Sequence, residues 1–498
     1  MKKTWIVLLL LFLFVPIAAI AQDAPEASSG GFLDTLDAVF TQLVDAMAVV
    51  LFFDMFGVPL IVVWLIGGAI FFTIRMGFIN FRAFKHAIYV VRGHYDDPDE
   101  SGEVTHFQAL AAALSATVGL GNIAGVAIAV SVGGPGAMLW MTIAGLFGMT
   151  SKFVECTLAQ KYRMILPNGH IAGGPMYYLS RGLAERGMRP FGKILAGVFA
   201  VLCIGAAFGG GNMFQANQSY VAVSGVIEGL PNWIYGIAIA TLVALVIIGG
   251  IRRIGTVAGA LVPSMCMIYV LASLWILLIN LPEIPGAFAK IFVEAFSPQA
   301  IEGGFIGVLV QGIRRSVFSN EAGIGSAAIA HAAARTDEPV REGIVALLEP
   351  FIDTVVICNM TALVVIITGE YANTTTAPGV ETTSAAFGTA IDWFPFILAL
   401  AVFLFAFSTM ISWSYYGERA WTYLFGESTT IVYRGVFVAC VFLGAVVNLG
   451  AVLDFADMML LSMAFPNMLG GFILADKVRA DLDNYMGRLE SGQMPIYK

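Results

Sequence analysis

Apolar runs of about twenty residues, parted by short polar segments, recur along most of the chain. One bilayer crossing by a helix takes roughly 20 apolar residues. On that template the pattern predicts eleven crossings, near 58–76, 107–130, 136–161, 192–222, 233–250, 255–280, 304–331, 344–369, 393–417, 431–449 and 456–475. Residues 32–56 are apolar too, but Asp34, Asp37, Asp45 and Asp54 make them an amphipathic helix at the outer interface rather than a crossing. The start of the chain differs again. Lys2 and Lys3, an apolar run interrupted by Pro16, and Ala19-Ile20-Ala21 form a signal peptide, with cleavage expected after Ala21.

Basic residues test this division. Arg75, Arg82, Lys85 and Arg92 follow the first crossing, and Lys161, Arg163, Arg181, Arg186 and Arg189 the third. Arg252 and Arg253 follow the fifth, Arg335 and Arg341 the seventh, while Arg419 and Arg434 flank the loop after the ninth. Lys477, Arg479, Arg488 and Lys498 follow the eleventh, and Lys290 is the exception in an outer loop. Cytoplasmic loops carry the excess of Lys and Arg. The expected arrangement is therefore multi-pass in a bacterial inner membrane, with the mature N-terminus periplasmic and the C-terminus cytoplasmic.

Composition agrees with a bilayer as solvent. Of 498 residues 58% are hydrophobic and only 12% charged, against about a quarter charged in a typical soluble chain. The net charge of -8 points to no particular partner, and no basic tract suits nucleic acid. Cys156, Cys203, Cys266, Cys358 and Cys440 fall in separate apolar runs without metal-ligand spacing and read as small buried hydrophobes. The five histidines are scattered near predicted loops and outline no metal site. No G-x-S-x-G, H-E-x-x-H or Walker A sequence is present, so no enzyme is expected.

Two crossings break their own pattern. The second holds "TVGLGNIAG" and the seventh "GIRRSVFSNEAGIGSAA", each glycine-rich and each with an amide side chain, Asn122 or Asn320. Glycine weakens a helix by about 1 kcal/mol relative to alanine, and polar groups at membrane depth need internal partners. Small residues also let helices pack closely. The two breaks, however, lie five crossings apart, so crossings 2–6 and 7–11 form two halves of opposite sense. Paired interrupted helices in inverted halves point to a transporter binding site near the midplane. A break frees N–H groups suited to a carboxylate and carbonyls suited to a hard cation or an ammonium, so a small zwitterion satisfies both.

The divisions are then a signal peptide (1–21), an outer N-terminal segment (22–57), an added first crossing with its loop (58–106), a first half (107–280), an outer loop (281–303), a second half (304–475) and an inner tail (476–498). Other charges read as a structural pair and as a gate or scaffold network. Lys152 and Glu155 read as an ion pair near the inner face, and Arg314, Arg315 and Glu321 have Glu349 and Asp353 as their nearest candidate partners. "GGPMYYL" at 173–179 reads as an inner gate or re-entrant loop.

"VGLGNIAGVA", "SKFVECTLAQKYR", "GGPMYYL", "FSNEAGIGSAAIAHAAA" and "STMISWSYYGERA" together resemble the alanine or glycine:sodium symporter family, over about residues 58–475. "VGLGN" also resembles the broken first core helix of the neurotransmitter:sodium symporters. The resemblance implies an all-α leucine-transporter-like fold of five plus five inverted crossings after one extra helix. It further implies Na⁺-coupled import of a small neutral amino acid by alternating access. Carried onto this chain, the substrate carboxylate meets amides around Gly119 and Gly121 beside Thr117, and the ammonium meets carbonyls near Phe318 and Ser319. Gln215 forms a polar wall, while Thr409 supplies a hydroxyl and Trp413, one turn away, limits size. One Na⁺ site would use Thr117, Asn122 and Ser319 or Asn320. A second would use carbonyls of Ser115 and Val118 with hydroxyls of Ser408 or Ser412. Proton coupling on the same fold stays open through Glu321 and Asp353, and a channel is the further rival. The sequence sets no oligomeric state, and a monomer is compatible with it.

Overall fold

The computed structural model describes residues 32–55, 57–167, 169–296, 304–373, 378–447 and 450–497. The signal peptide and its cleavage after Ala21 lie outside the described residues. Within them the protein is helical, and the only sheets are two antiparallel pairs of two-residue strands.

Helix α1 (Phe32–Leu51) leads to α2 (Leu60–Arg75). The first broken helix is α3 (His106–Thr117) followed by α4 (Gly121–Gly133), whose axes meet at 52°. α3 starts on a reciprocal cap, in which Gln108 N donates to Thr105 Oγ1 at 3.2 Å and Thr105 N donates to Gln108 Oε1 at 3.0 Å. Then come α5 (Ala137–Tyr162), α6 (Arg189–Ser224), α7 (Asn232–Ile247) and α8 (Gly250–Ile279). The second broken helix is α9 (Gly304–Asn320) with α10 (Ala327–His331). α11 (Pro339–Thr368), α12 (Phe394–Phe425), α13 (Thr430–Val446), α14 (Gly450–Ser462) and α15 (Ala464–Glu490) complete the chain.

Seven described helices are long and apolar enough to cross a membrane, and α3 with α4 makes eight if the bent pair is one crossing. The other three predicted crossings are α2 and α7, at 16 residues each, and the interrupted pair α9 and α10. α5 is the central post and packs against α2, α9, α10, α11 and α15. α1 lies against α14.

The loops that the charge count assigned to one side do meet at one end. Arg163 joins Ser101 and Thr336, Arg434 donates to Ile248 O, Lys477 pairs with Glu185, and Arg488 pairs with Glu338. Lys290, the exception, lies with Tyr371 elsewhere. "GGPMYYL" forms a buried helical turn at this cation-rich end, where Tyr178 OH donates to Asn467 Oδ1.

α15 continues through 476, where the tail is expected to begin, to Glu490. Its polar second half is held laterally, by Asp476 to Arg75, Lys477 to Glu185, Asp481 to Lys161 and Arg488 to Glu338. The apolar run ends near 475, and the backbone stays helical beyond it where ion pairs hold the polar half.

Candidate functional site

The two breaks touch. A Cβ built on Gly121 would lie 3.0 Å from Ser319 Cα, a contact so tight that α9 would have to shift to admit a side chain where α4 begins. The first break is held open by Asn122, whose Oδ1 accepts from Gly119 N at 2.8 Å. The second break turns through Glu321 (φ 56°), Gly323 (φ 90°) and Gly325 (φ 84°). A non-glycine residue in that left-handed region costs of order 1–3 kcal/mol. Here it is held by its own side chain: Trp413 Nε1 donates to Glu321 Oε1 at 2.9 Å, and Ser326 donates its hydroxyl to the other oxygen.

Between the breaks lies a small cavity of about 20 Å³, lined by Ala116, Thr117, Gly119, Leu120, Gly121, Gly210, Gln215, Phe318, Glu321, Thr409, Trp413 and Leu460. α3, α4, α6, α9, α12 and α14 all contribute. Two polar atoms in this lining, Thr409 Oγ1 and Gln215 Oε1, are buried without a partner. Buried polar groups are nearly always hydrogen-bonded, so these atoms mark where a polar ligand would bind. A Cβ on Gly119 would come within 2.5 Å of Thr409 Oγ1.

The cavity gathers seven of the sequence-predicted substrate residues: Thr117, Gly119, Gly121, Gln215, Phe318, Thr409 and Trp413. Ser319 lies just behind it, its hydroxyl donating to Asp353 Oδ2 at 2.8 Å. Asn122 Nδ2 reaches the same carboxylate, at 2.6 Å from Oδ1. Asn320 is turned to other partners, with Nδ2 donating to Ser316 Oγ and Thr354 Oγ1, each at 2.9 Å. Ser115 and Ser408 join α3 to α12, Ser115 Oγ donating to Ser408 O at 2.6 Å and Ser408 Oγ to Ser115 O at 3.2 Å. Ser412 Oγ is buried without a partner, and Val118 is buried at the C-cap of α3.

Two residues belong to this site more closely than the sequence reading allowed. Glu321 lines the cavity and holds Trp413, and Asp353 gathers Asn122, Ser319 and Thr354. Neither is a partner of Arg314 or Arg315, which lie over the rings of Phe52 and Phe318 at 5.3 and 5.9 Å. A charge inside an apolar run is itself a signal of function. What hydropathy hides is the geometry: Asp353 sits in a widened π-type turn, Phe351–Cys358, and similar turns at Gly121–Gly125 and Gly209–Met213 flank the cavity. Such turns recur at functional positions because they re-aim side chains without ending a helix.

The remaining buried charges pair differently from the expectation. Lys152 binds Glu349 at 3.1 Å rather than Glu155, which accepts from Asn467 at 2.9 Å. His106 and His331, far apart in sequence, both meet Glu342 through Nδ1, and His331 Nε2 meets Glu349. Cys156, His331 and Glu349 bring donor atoms within 4.8 Å of one another. Those of His331 and Glu349 are already matched: both imidazole nitrogens face carboxylates, and Glu349 faces Lys152.

Comparison with known proteins places this architecture. Residues 38–498 match the model of the sodium:alanine symporter family. The chain is 43% identical over 423 residues to the sodium/alanine symporter AgcS of Methanococcus maripaludis, covering 84% of this chain and 92% of that protein. It is 36% identical over 440 residues to the amino-acid carrier protein AlsT of Bacillus subtilis (87% and 91% covered). It is 34% identical over 447 residues to the probable sodium/glutamine symporter GlnT of the same organism (89% and 91%). Among solved structures, MhsT in complex with L-phenylalanine superposes with a TM-score of 0.53 at 14% identity, over 75% of this chain and 89% of that one. That likeness carries the fold, a leucine-transporter-like arrangement of helices. With a matched model over nearly the whole length and relatives above one-third identity, the chain belongs to the sodium:alanine symporter family.

Proposed function

We propose that this protein imports a small neutral amino acid together with Na⁺ by alternating access. The observation that carries the reading is the meeting of two broken helices around one cavity with unpartnered polar atoms. Family membership, and relatives named for alanine and for glutamine, support the class of substrate and the coupling ion.

In this reading the carboxylate lies against the backbone around Gly119 and Gly121, within reach of the Thr409 hydroxyl. The ammonium lies toward the carbonyls of Phe318 and Ser319, with Glu321 and Gln215 beside it. Trp413 closes the space left for the side chain. One Na⁺ site uses Thr117, Asn122 and Ser319, and we add Asp353, whose carboxylate supplies the hard oxygens such an ion prefers. The second uses the Ser115 and Val118 carbonyls with Ser408 and the free hydroxyl of Ser412. We count α2, α7 and the α9–α10 pair as crossings, which makes eleven. The cation-rich end then faces the cytoplasm, residues 22–57 lie outside, and residues 107–280 and 304–475 form the inverted halves.

The test is uptake of a panel of radiolabelled amino acids into proteoliposomes, at one pH, with Na⁺ or with K⁺ outside. Na⁺-dependent uptake of alanine or a near relative, raised by unlabelled substrate inside, is the expected result. Uptake indifferent to Na⁺ but driven by a pH gradient would favour a proton-coupled carrier, the second reading that the carboxylates of Glu321 and Asp353 keep in play. Flux without stimulation by internal substrate would indicate a channel.

A further inference from the structure

We propose that Arg163 and Glu342 fasten the cation-rich ends of the two broken helices to each other, so that α3 and α10 move as one part during transport. The inference rests on the alternating-access reading above and adds a role for two residues outside the cavity.

The leader of α3 and the segment after α10 form a short parallel bridge at Val104 and Ala334. Glu103 N and Val104 N both donate to Ala333 O, at 2.9 and 3.3 Å. Arg335 N returns a bond to Val104 O at 2.8 Å, and Thr336 N one to Ser101 O at 3.2 Å. Arg163, one residue past the end of α5, spans both strands of this bridge. Its Nη1 donates to Ala332 O and Ala334 O at 3.0 and 2.5 Å, and its Nη2 to Ser101 O and Thr336 O, both at 2.7 Å. A guanidinium is a rigid planar fork, so four carbonyls from two segments fix their relative position through one side chain. Gln160 Nε2, a turn earlier, adds bonds to His331 O and Ala334 O at 2.6 and 3.1 Å.

A second tie lies deeper. Glu342 on α11 offers one carboxylate oxygen to His106, the first residue of α3, and the other to His331, the last residue of α10. All three side chains are buried, with His106 at 1% exposure and the other two at 0%. A carboxylate taken from water must keep its partners. Swinging α3 away from α10 would break four main-chain bonds, split the Arg163 fork and strip Glu342 of one histidine at the same time. Moving the two half-helices together, along with the end of α5 that carries Arg163 and the start of α11 that carries Glu342, breaks none of these.

Hydrogen–deuterium exchange on the full-length protein in lipid nanodiscs tests this, comparing wild type with Arg163→Gln and Arg163→Lys. Exchange in 101–105 and in 332–336 is expected to rise at least tenfold in the Gln variant, with the Lys variant in between because it keeps the charge but loses the fork. Thermal stabilisation by Na⁺ with alanine should persist in both, while uptake falls at least fivefold in the Gln variant and recovers in part with Lys. Unchanged exchange, a rise in one segment alone, or wild-type uptake with both segments loosened would each overturn the proposal. If the Gln variant does not fold, the Lys variant alone carries both readings. A wild-type protein with no Na⁺-dependent uptake would instead remove the transport reading, and exchange would still decide whether the two segments are joined.

Discussion

Asn122 Nδ2 lies 2.6 Å from Asp353 Oδ1, across 231 residues of sequence. The bond ties the first break to a widened turn of α11, and the other Asp353 oxygen accepts from Ser319 at 2.8 Å and Thr354 at 2.7 Å. One carboxylate therefore organises the last turn of α9 and the start of α4. The first prediction follows from that position. Asn122→Ala and Asp353→Asn should each raise the Na⁺ concentration for half-maximal uptake at least tenfold, equivalent to about 1.4 kcal/mol. Surface expression should fall much less. Wild-type Na⁺ dependence in either variant would remove that residue from the ion site.

Gly119 faces Thr409 with no room for a side chain. Gly119→Val should abolish stabilisation by alanine in a thermal-shift assay while leaving stabilisation by Na⁺ at the Ser115–Ser408 site measurable. Retained stabilisation by alanine would show that the carboxylate does not lie there.

Trp413 and Glu321 form a matched pair, and their variants should differ in kind. Trp413→Phe removes the only donor on that side chain and leaves a buried carboxylate oxygen unpaired, a loss of about 1–3 kcal/mol. Glu321→Gln keeps an oxygen that accepts from the indole and should lose less stability. Trp413→Ala enlarges the cavity, so uptake should shift toward larger neutral amino acids. Competition by leucine or methionine, absent in wild type and present in the variant, is the check.

His86 gives a pH dependence outside the membrane. Burial, and then the nearby Arg341, lower its pKa from 6.5 to about 4, and its Nε2 lies 2.8 Å from Tyr485 OH on α15. The folded form therefore holds this imidazole neutral while the unfolded chain protonates it below pH 6.5. Its contribution is lost as pH falls from about 6.5 toward 4. His86→Phe should flatten this part of the curve of melting temperature against pH, and an identical slope in both proteins would assign the effect elsewhere.

The all-helical, multi-pass character was legible because hydropathy leaves its mark in every segment. Gly119 and Gly121 stood out for a related reason, since flexible residues at membrane depth are expensive, whereas Thr409 and Trp413 came from the family resemblance. Asp353 and Glu321 stood out too, but their partners did not. Pairing by proximity in sequence favoured Arg314 and Arg315, whereas the widened turn at Phe351–Cys358 aims Asp353 at Asn122 and the left-handed turn at Glu321 aims that carboxylate at Trp413. Neither turn leaves a periodic signature. Lys152 and Glu155 failed alike, since three residues of spacing makes them neighbours on a helix surface but says nothing of the stronger partners that α11 and α15 bring.

The long run of α15 past its apolar half has a practical consequence. Along one helix it meets carboxylates and cations from four separate segments, and beyond it Tyr497 bonds to His94 O at 2.9 Å and to Asp97 at 2.7 Å. It works as a keel rather than a loose tail. A fluorescent reporter grafted in place of residues 476–498 would set four segments adrift together, and a fall in its signal would record misassembly of the whole cation-rich end.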